Sequence, residues 1–205
     1  MKSFLTTVAL TSIADAKRGT CQAIALSGGA NNGAWEAGVM RGFLENGDAK
    51  DFEWEVVTGV SAGSLNAMAM SGWEIGNEAE MAQWISDLWL NLHSSDVWKD
   101  WSTGRVDGWL VMGGALDNSP LLSFVQHLMA PFDGFKRKVT IASVEVNEGV
   151  YTQFDQTNTN WNDLPRAAVC SASIPGAFPP QVWKNHGVFM DGGTVYNIDL
   201  EDSIQ

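Results

Sequence analysis

A serine between two glycines is the feature of this chain whose residue types and spacing most clearly indicate chemistry. Ser61 lies between Gly59 and Gly63, after a β-like run at residues 53–58 and before small residues that favour a helix. In such a strand-to-helix turn the serine is presented as a nucleophile, and side chains at the two glycine positions would collide with the neighbouring strand and helix. The motif predicts acyl transfer through Ser61, although taken alone it also fits an ordinary turn.

The element that follows the motif would help to activate the serine. Residues 62–71 are rich in Ala, Met and Ser, which predicts a helix narrow enough to pack closely on a sheet. Ser61 would then stand at the N-terminus of this helix. Unpaired backbone N–H groups and about half a positive charge at that end favour a developing oxyanion.

A nucleophilic serine also needs a base. The chain contains three histidines, and the last of them, His186, precedes Asp191. A triad of the α/β-hydrolase type runs Ser, acid, His along the chain, so this order excludes it. Asp191 itself can act as the base, because it follows the apolar run at residues 187–190 and is followed by Gly192 and Gly193, which allow a close turn. A surface turn is the alternative interpretation of this Asp-Gly-Gly sequence.

Backbone donors for an oxyanion are offered by a glycine-rich loop nearer the start of the chain. Gly28, Gly29 and Ala30 follow an apolar strand at residues 21–26 and precede a helical pattern. One well-placed donor contributes a factor of about 10²–10³ to turnover. A nucleotide-binding loop is disfavoured, since GxGxxG requires glycine at position 30 and no GK[ST] sequence follows.

Length and charge narrow the classes of function. The 205 residues suit one domain, or one domain with a leader, and a hydrophobic share of 45% is enough for a core. A net charge of −12 argues against a nucleic-acid partner and against electrostatic docking on anionic lipid, so any membrane contact would have to be hydrophobic. Cys21 and Cys170 lack metal-site spacing; buried thiols are favoured, and a disulfide between them stays open.

The first residues of the chain resemble a secretory signal peptide. Lys2 supplies a short basic region, residues 4–13 a modest apolar stretch, and residues 14–16 a small-x-small cleavage site, which together make residues 1–16 the leader. The prediction is a protein that is secreted or delivered to the endomembrane lumen; a non-native or frayed helical N-terminus is the alternative. No other segment approaches the roughly 20 apolar residues of a membrane span, so we expect a soluble or peripheral mature protein.

The elements that must position these residues follow a repeated order. Strand, loop and helix succeed one another at residues 21–44 and again around the serine motif, which predicts parallel strands joined by crossover helices and hence an α/β fold. A helix is predicted around residues 81–92, two further strands at residues 139–146 and 150–154, and a helix at residues 161–170.

A tryptophan-rich segment separates the first two units from the later strands. Six of the ten tryptophans lie between Trp73 and Trp109. Tryptophan is suited to the membrane interface, so the segment fits a lid or a lipid-contact surface. An irregular packed insertion also fits it and is the preferred interpretation.

Taken together and in this order, the glycine-rich loop, the GxSxG motif and the late Asp-Gly-Gly sequence resemble the patatin-like phospholipase family. Residues 26–34 and 59–67 resemble its first two sequence blocks, residues 168–180 the block before the acid, and residues 191–197 the last block. The resemblance extends from the first strand to the end of the chain. It implies a three-layer α/β/α fold with a mostly parallel central sheet.

The same resemblance implies the roles of the site residues. Ser61 would be the nucleophile, Asp191 the base that activates it, and the N–H groups of Gly28, Gly29 and Ala30 the oxyanion donors. No metal or organic cofactor is implied. The substrates would be phospholipids, lysophospholipids or other acyl lipids, met at a transient membrane or micelle surface. A catalytically weak lipid-binding or storage protein on the same fold is the alternative, and acyl transfer to an alcohol is a third possibility.

The chain departs from the pattern of the family in two places. The family loop usually reads GGGxRG or GGGxKG, whereas this chain has Ala30 in place of the third glycine and Asn32 in place of the cation. Asparagine supplies only a neutral donor, which predicts weaker activity or an altered substrate preference. The acyl hydrolase domain is expected over residues 17–205 and ends fourteen residues after Asp191, whereas relatives usually continue with a further helix and strand; the alternatives are a minimal member of the family and a fragment with a C-terminally short domain.

Overall fold

The structure is a computed structural model that describes residues 21–204. The leader predicted at residues 1–16 lies outside the described residues.

Residues 21–204 contain six strands and seven α-helices. The strands are β1 Ala23–Leu26, β2 Val56–Val60, β3 Lys138–Glu145, β4 Val150–Asp155, β5 Gln181–Trp183 and β6 Gly187–Asp191. The helices are α1 Gly33–Asn46, α2 Ala62–Ser71, α3 Glu78–Asn91, α4 Ser94–Val97, α5 Arg105–Asp107, α6 Ser119–Met129 and α7 Leu164–Ser171. Short 3-10 turns occupy Ala30–Asn32, Ala49–Phe52, Trp161–Asp163 and Gly192–Thr194, and a π turn occupies Gly108–Met112.

The strands form one mixed sheet in the order β1-β2-β3-β6-β5, with β4 paired to β3. β1, β2 and β3 run parallel, as the repeated strand–loop–helix order predicts. The pairings of β3 with β4, β3 with β6 and β5 with β6 are antiparallel. The predicted layered α/β fold is confirmed, and the two strands expected near residues 139–154 both join the sheet.

Strand β3 brings two other strand ends together. Its residue Ala142 pairs with Val60 at the end of β2, and the next residue, Ser143, pairs with Asp191 at the end of β6. Because β2 runs parallel to β3 and β6 runs antiparallel, the carboxyl ends of β2 and β6 lie at neighbouring positions of β3, on its two sides. Ser61, the residue after β2, is thereby placed next to Asp191.

The two faces of the sheet carry different layers. Gly59 of β2 faces α2, since a Cβ atom there would lie 2.8 Å from the Ala67 side chain. The hydroxyl of its neighbour Thr58 donates to the backbone carbonyl of Asp199 at 2.6 Å. Successive residues of a strand point to opposite faces, so the segment that contains Asp199 covers the face opposite α2.

Helix α2 packs closely on the sheet because most of its side chains are small. All of its residues except Leu65 are buried. A buried ion pair lies between the segment after α2 and the start of β3. The Arg137 guanidinium contacts the Glu78 carboxylate at 3.2 Å and donates to the backbone carbonyls of Trp54 and Trp73. These bonds satisfy a charge that would otherwise be costly to bury.

Two local predictions differ from the structure. Both cysteines are free thiols, but only Cys170 is buried, which raises its pKa to about 12; Cys21 is exposed because it precedes β1 at the edge of the sheet. The pattern around Ser119 predicts this residue as the N-cap of a helix, yet it is the first residue of α6. The carboxylate of Asp117 accepts a hydrogen bond from the Ser119 N–H at 2.8 Å and so starts the helix one residue earlier.

Candidate active site

The backbone at Ser61 is held in a strained conformation. Its φ is 53° and its ψ is −121°, a region that residues with a side chain rarely occupy and that costs on the order of 1–3 kcal/mol. Two hydrogen bonds hold it there. The Ser61 N–H donates to Oγ of Ser171 at 2.8 Å, and the Ser171 hydroxyl donates to the backbone carbonyl of Ala142 at 2.6 Å. The turn is therefore fixed to β3 by a side chain of α7.

Glycine is required on both sides of this turn. A Cβ atom at Gly59 would overlap the backbone carbonyl of Gly63, and one at Gly63 would overlap that of Leu26 in β1. The same holds for Gly192, where a Cβ atom would overlap the carbonyl of Ala142. The close approach of these three backbones brings Ser61 and the turn after β6 together.

Asp191 is a buried carboxyl group with one unused oxygen. Its side chain accepts a hydrogen bond through Oδ1 from the N–H of Gly193 at 2.8 Å, and its own N–H donates to the carbonyl of Ser173 at 3.0 Å. Oδ2 is buried and has no hydrogen-bond partner among residues 21–204. Burial raises the pKa of Asp191, and the Ser61 hydroxyl and the Gly193 N–H partly offset this by favouring the carboxylate.

This arrangement gives Asp191 the properties of a base. The Ser61 hydroxyl is near enough to act on the pKa of Asp191, although it does not form an aligned hydrogen bond with Oδ2. Catalytic hydrogen bonds are often long or poorly aligned before substrate binds. Oδ2 is therefore the atom available to receive a proton from Ser61.

The glycine-rich loop lies against the serine, but one predicted donor is already engaged. A Cβ atom at Gly28 would lie 3.0 Å from Cβ of Ser61, so this loop passes directly over Ser61. The Gly28 N–H donates to the backbone carbonyl of Asn197 at 2.8 Å. The prediction that Gly28 donates to an oxyanion does not fit this geometry, because its only N–H serves to fasten the loop to the chain after β6.

Other N–H groups at the site remain available. Those of Gly29 and Ala30, both predicted as donors, have no acceptor within the described part of the chain, and neither has that of Ala62 at the start of α2. Ala30 and Ala62 border the same cavity as Ser61. Ala30 holds a φ of 50°, a left-handed conformation that glycine would adopt without strain.

A network of three polar side chains, Glu36, Asn66 and Trp89, contacts the start of the glycine-rich loop. Glu36 accepts hydrogen bonds from the Ser27 N–H at 2.8 Å and from the Asn66 amide at 3.1 Å. The indole N–H of Trp89 in turn donates to the Asn66 side chain at 2.8 Å. Partial burial raises the pKa of Glu36, and the bonds from Ser27 and Asn66 act in the opposite direction. Asn32, which stands where the family has a cation, is exposed and leaves the loop without a positive charge.

An apolar cavity of about 580 Å³ opens beside Ser61. Helices α2, α3 and α6 each supply part of its wall, through residues such as Leu65, Leu88 and Phe124. None of the residues that line it is Asp, Glu, Lys or Arg. The cavity can therefore accommodate a hydrocarbon chain, and His93 is the one ionisable side chain among the described residues that line it.

Sequence reasoning assigned no role to three groups at the site. The Ala62 N–H could have been expected, because the residue after a nucleophile at a helix N-terminus often supplies a donor. Ser171 and Asn197 lie in the sequence blocks that resemble the family, but nothing local shows that they contact Ser61 and Gly28. Their roles depend on how distant strands pair.

Two comparisons with known proteins found a match for the chain. The model of one family, described as patatin-like phospholipase, matches residues 24–204. The crystal structure of VipD from Legionella pneumophila is similar, with a TM-score of 0.52 and 12% sequence identity over 89% of this chain. The chain spans 47% of the length of VipD. None of the curated proteins compared with the chain matched it. Because the family model covers nearly the whole of the described chain, the chain belongs to the patatin-like phospholipase family.

Proposed function

We propose that the chain is a serine acyl hydrolase that cleaves ester bonds of phospholipids or other acyl lipids with a Ser61–Asp191 dyad. The observation that carries this proposal is the unpartnered Oδ2 of Asp191, buried near the strained Ser61 where β2 and β6 end on the two sides of β3. A buried carboxylate oxygen without a partner is costly, and such groups concentrate at functional sites.

The reaction would pass through an acyl-enzyme. Asp191 takes the proton of the Ser61 hydroxyl as Oγ attacks the ester carbonyl carbon, and the oxyanion is held by the N–H groups of Gly29, Ala30 and Ala62. The bond to the leaving alcohol then breaks, and Asp191 gives the proton to that alcohol. Water, deprotonated by Asp191, attacks the acyl-enzyme; the fatty acid leaves and Ser61 recovers its proton.

The cavity supports an acyl lipid as the substrate. A long hydrocarbon chain would lie in the apolar space bordered by Ser61, and its burial would supply most of the binding free energy. The ester head group would remain on the solvent side of the serine. Substrates of this kind are met at a membrane or micelle surface, and the signal peptide predicted at residues 1–16 would deliver the protein to the secretory route.

The dyad is tested with two variants and one control. Ser61→Ala and Asp191→Asn should each remove nearly all hydrolysis of a soluble short-chain ester and of phosphatidylcholine. Ser123→Ala, which changes an exposed serine on α6, should leave both activities as in the unchanged protein. A fluorophosphonate adduct mapped by peptide mass should lie on Ser61. Substantial turnover in either dyad variant contradicts the mechanism.

A lipid-binding or storage role is the second candidate, favoured by three features of the glycine-rich loop that would weaken catalysis. In this loop Gly28 is engaged, Ala30 is strained and Asn32 carries no charge. A folded protein that binds lipid vesicles but takes no fluorophosphonate label would support this candidate over the hydrolase.

A further inference from the structure

An exposed apolar face lies in the tryptophan-rich segment. Val106, Trp109, Leu110, Val111 and Met112 each expose between 49% and 74% of their surface. These five residues, called here the apolar face, fall within seven consecutive positions on α5 and the π turn that follows it. Soluble proteins rarely expose so many large apolar side chains side by side, and where they do, the patch commonly binds a protein or a membrane.

The apolar face belongs to a loop with an ordered base. The indole N–H of Trp101 donates to the carbonyl of Gly114 at 2.9 Å and closes the loop. Gly108 is buried beneath the Trp101 ring, with no room for a side chain. Gly104 and Gly113 bracket the helical part with φ values of 90° and 82°, which glycine adopts without strain. The apolar side chains are therefore held outward by a packed base.

This loop adjoins the opening of the apolar cavity beside Ser61, called here the acyl cavity. The Ala115 N–H donates to the carbonyl of Gly176 at 3.0 Å, and the Leu116 N–H donates to that of Ala177 at 2.9 Å. The Trp109 indole nitrogen lies 3.6 Å from the position that a Cβ atom of Gly176 would take. Since Ala177 lines the cavity bordered by Ser61, the apolar face and the cavity share one rim.

The charges around the loop decide which partner it fits. Asp107 is the only ionisable residue in the segment from Val106 to Met112, and the segment contains no cation. The nearest basic side chain along the chain, Arg105, is paired with Asp100 at 2.6 Å. With a net charge of −12, the protein as a whole is repelled by anionic surfaces. The patch therefore suits an uncharged or zwitterionic partner with accessible hydrocarbon.

We propose that the apolar face inserts into the interface of a zwitterionic phospholipid membrane and holds the mouth of the acyl cavity at the lipid surface. The inference rests on the proposed function, because an acyl lipid that enters the cavity must come from such a surface. Tryptophan and aliphatic side chains on a short helical element are suited to this shallow position. The membrane contact depends on hydrophobic burial and is insensitive to salt.

The test measures binding separately from catalysis. Cosedimentation with phosphatidylcholine vesicles is measured for the Ser61→Ala protein, which cannot consume the lipid, with and without the added pair Leu110→Ser and Val111→Ser. The pair should lower the partition coefficient by at least about tenfold. The control is Ile75→Ser, an exposed apolar residue in the loop after α2, at the end of that helix away from Ser61; it should bind as the parent does.

The remaining measurements separate the possible failures. In the active protein, the Leu110→Ser and Val111→Ser pair should leave hydrolysis of a soluble short-chain ester unchanged and lower hydrolysis of vesicle lipid. Unchanged vesicle binding by the pair overturns the proposal, and so does binding that requires phosphatidylglycerol or disappears in high salt. A patch that instead joins two copies of the chain would appear as a dimer that the pair dissociates, without an effect on vesicles. A protein that binds vesicles through this face but hydrolyses no ester would contradict the proposed function and leave the membrane contact standing.

Discussion

Gly28 and Asn197 hold each other through two hydrogen bonds. The Gly28 N–H donates to the Asn197 backbone carbonyl at 2.8 Å, and the Asn197 side-chain amide donates to the Gly28 carbonyl at 2.9 Å. Gly28 lies directly over Ser61, so this pair sets the position of the glycine-rich loop relative to Ser61. In the proposed mechanism, Asn197 is therefore a positioning residue for the oxyanion donors that follow Gly28.

Asn197→Ala should lower kcat with little change in KM. The variant keeps the backbone bond but loses the side-chain bond, so the loop samples positions in which its donors miss the oxyanion. We expect kcat to fall roughly tenfold while KM changes less than about twofold, because the interaction acts in the transition state. Steady-state kinetics on a soluble ester check this. Asn46→Ala removes a comparable side-chain bond to the Gly42 carbonyl, far from the serine, and serves as the control. Equal kcat values for the two variants would rule out the positioning role.

Ala30→Gly should stabilise the protein and keep it active. Ala30 has a φ of 50°, and a left-handed conformation costs an alanine roughly 1 kcal/mol that glycine does not incur. Some of this gain is lost because glycine is more flexible in the unfolded chain, so we expect a net increase of about 0.5 kcal/mol in the free energy of unfolding. Urea denaturation measures it. Ala79→Gly, in the first turn of α3, should be destabilising instead. A loss of stability in Ala30→Gly would show that the backbone there is not strained.

Local patterns in the sequence predict many of the elements but not how they meet. The composition of residues 62–71 predicts a helix, and α2 has the same bounds, because small residues with helical propensity favour no other regular structure there. The contact of Gly28 with Asn197 spans 169 positions, and no local pattern contains it. The approach of Asp191 to Ser61 likewise depends on the antiparallel pairing of β6 with the end of β3. Sequence reasoning named Ser61 and Asp191 from their motifs and from the resemblance to a family, whereas the engaged N–H of Gly28 required the structure.

Gly63→Ala should prevent stable folding, unlike a matched substitution in α1. A Cβ atom at Gly63 would overlap the Leu26 backbone and approach the Ser27 carbonyl at 2.8 Å, so β1 and α2 would have to separate. We expect a loss of more than about 3 kcal/mol in the free energy of unfolding, or insoluble protein. Gly38→Ala is the control. Nothing lies within 4 Å of a Cβ atom there, and alanine in a helix should add about 0.5–1 kcal/mol. Similar effects of the two substitutions would contradict the close packing at the elbow.

Longer acyl chains should be hydrolysed more efficiently until the cavity is filled. Each methylene buried in an apolar site contributes about 0.8 kcal/mol, which corresponds to about a fourfold rise in kcat/KM per carbon. A series of soluble esters of increasing chain length measures this. Val125→Phe places a larger side chain in the wall of the cavity and reduces the space for the acyl chain. The chain length that is hydrolysed most efficiently should therefore become shorter, without a change in the rate for the shortest ester. A flat profile in the unchanged protein would indicate that the acyl chain binds elsewhere.

Asp191 should make activity and stability respond to pH in opposite directions. Burial raises its pKa in the folded protein, so the folded state binds this proton more tightly than the unfolded chain does. The stability contributed by the group is fully present below the unfolded pKa and is lost as the pH rises through the folded pKa. Activity requires the carboxylate, and kcat/KM on a soluble ester should therefore increase over that same rise. Asp191→Asn, which cannot ionise, should be inactive but more stable than the unchanged protein at neutral pH, and urea denaturation should find the difference shrinking on acidification. An Asp191→Asn protein that is less stable at neutral pH would mean that Asp191 is held in place by its charge, and the carboxylate would then be a structural anchor in place of a poised base.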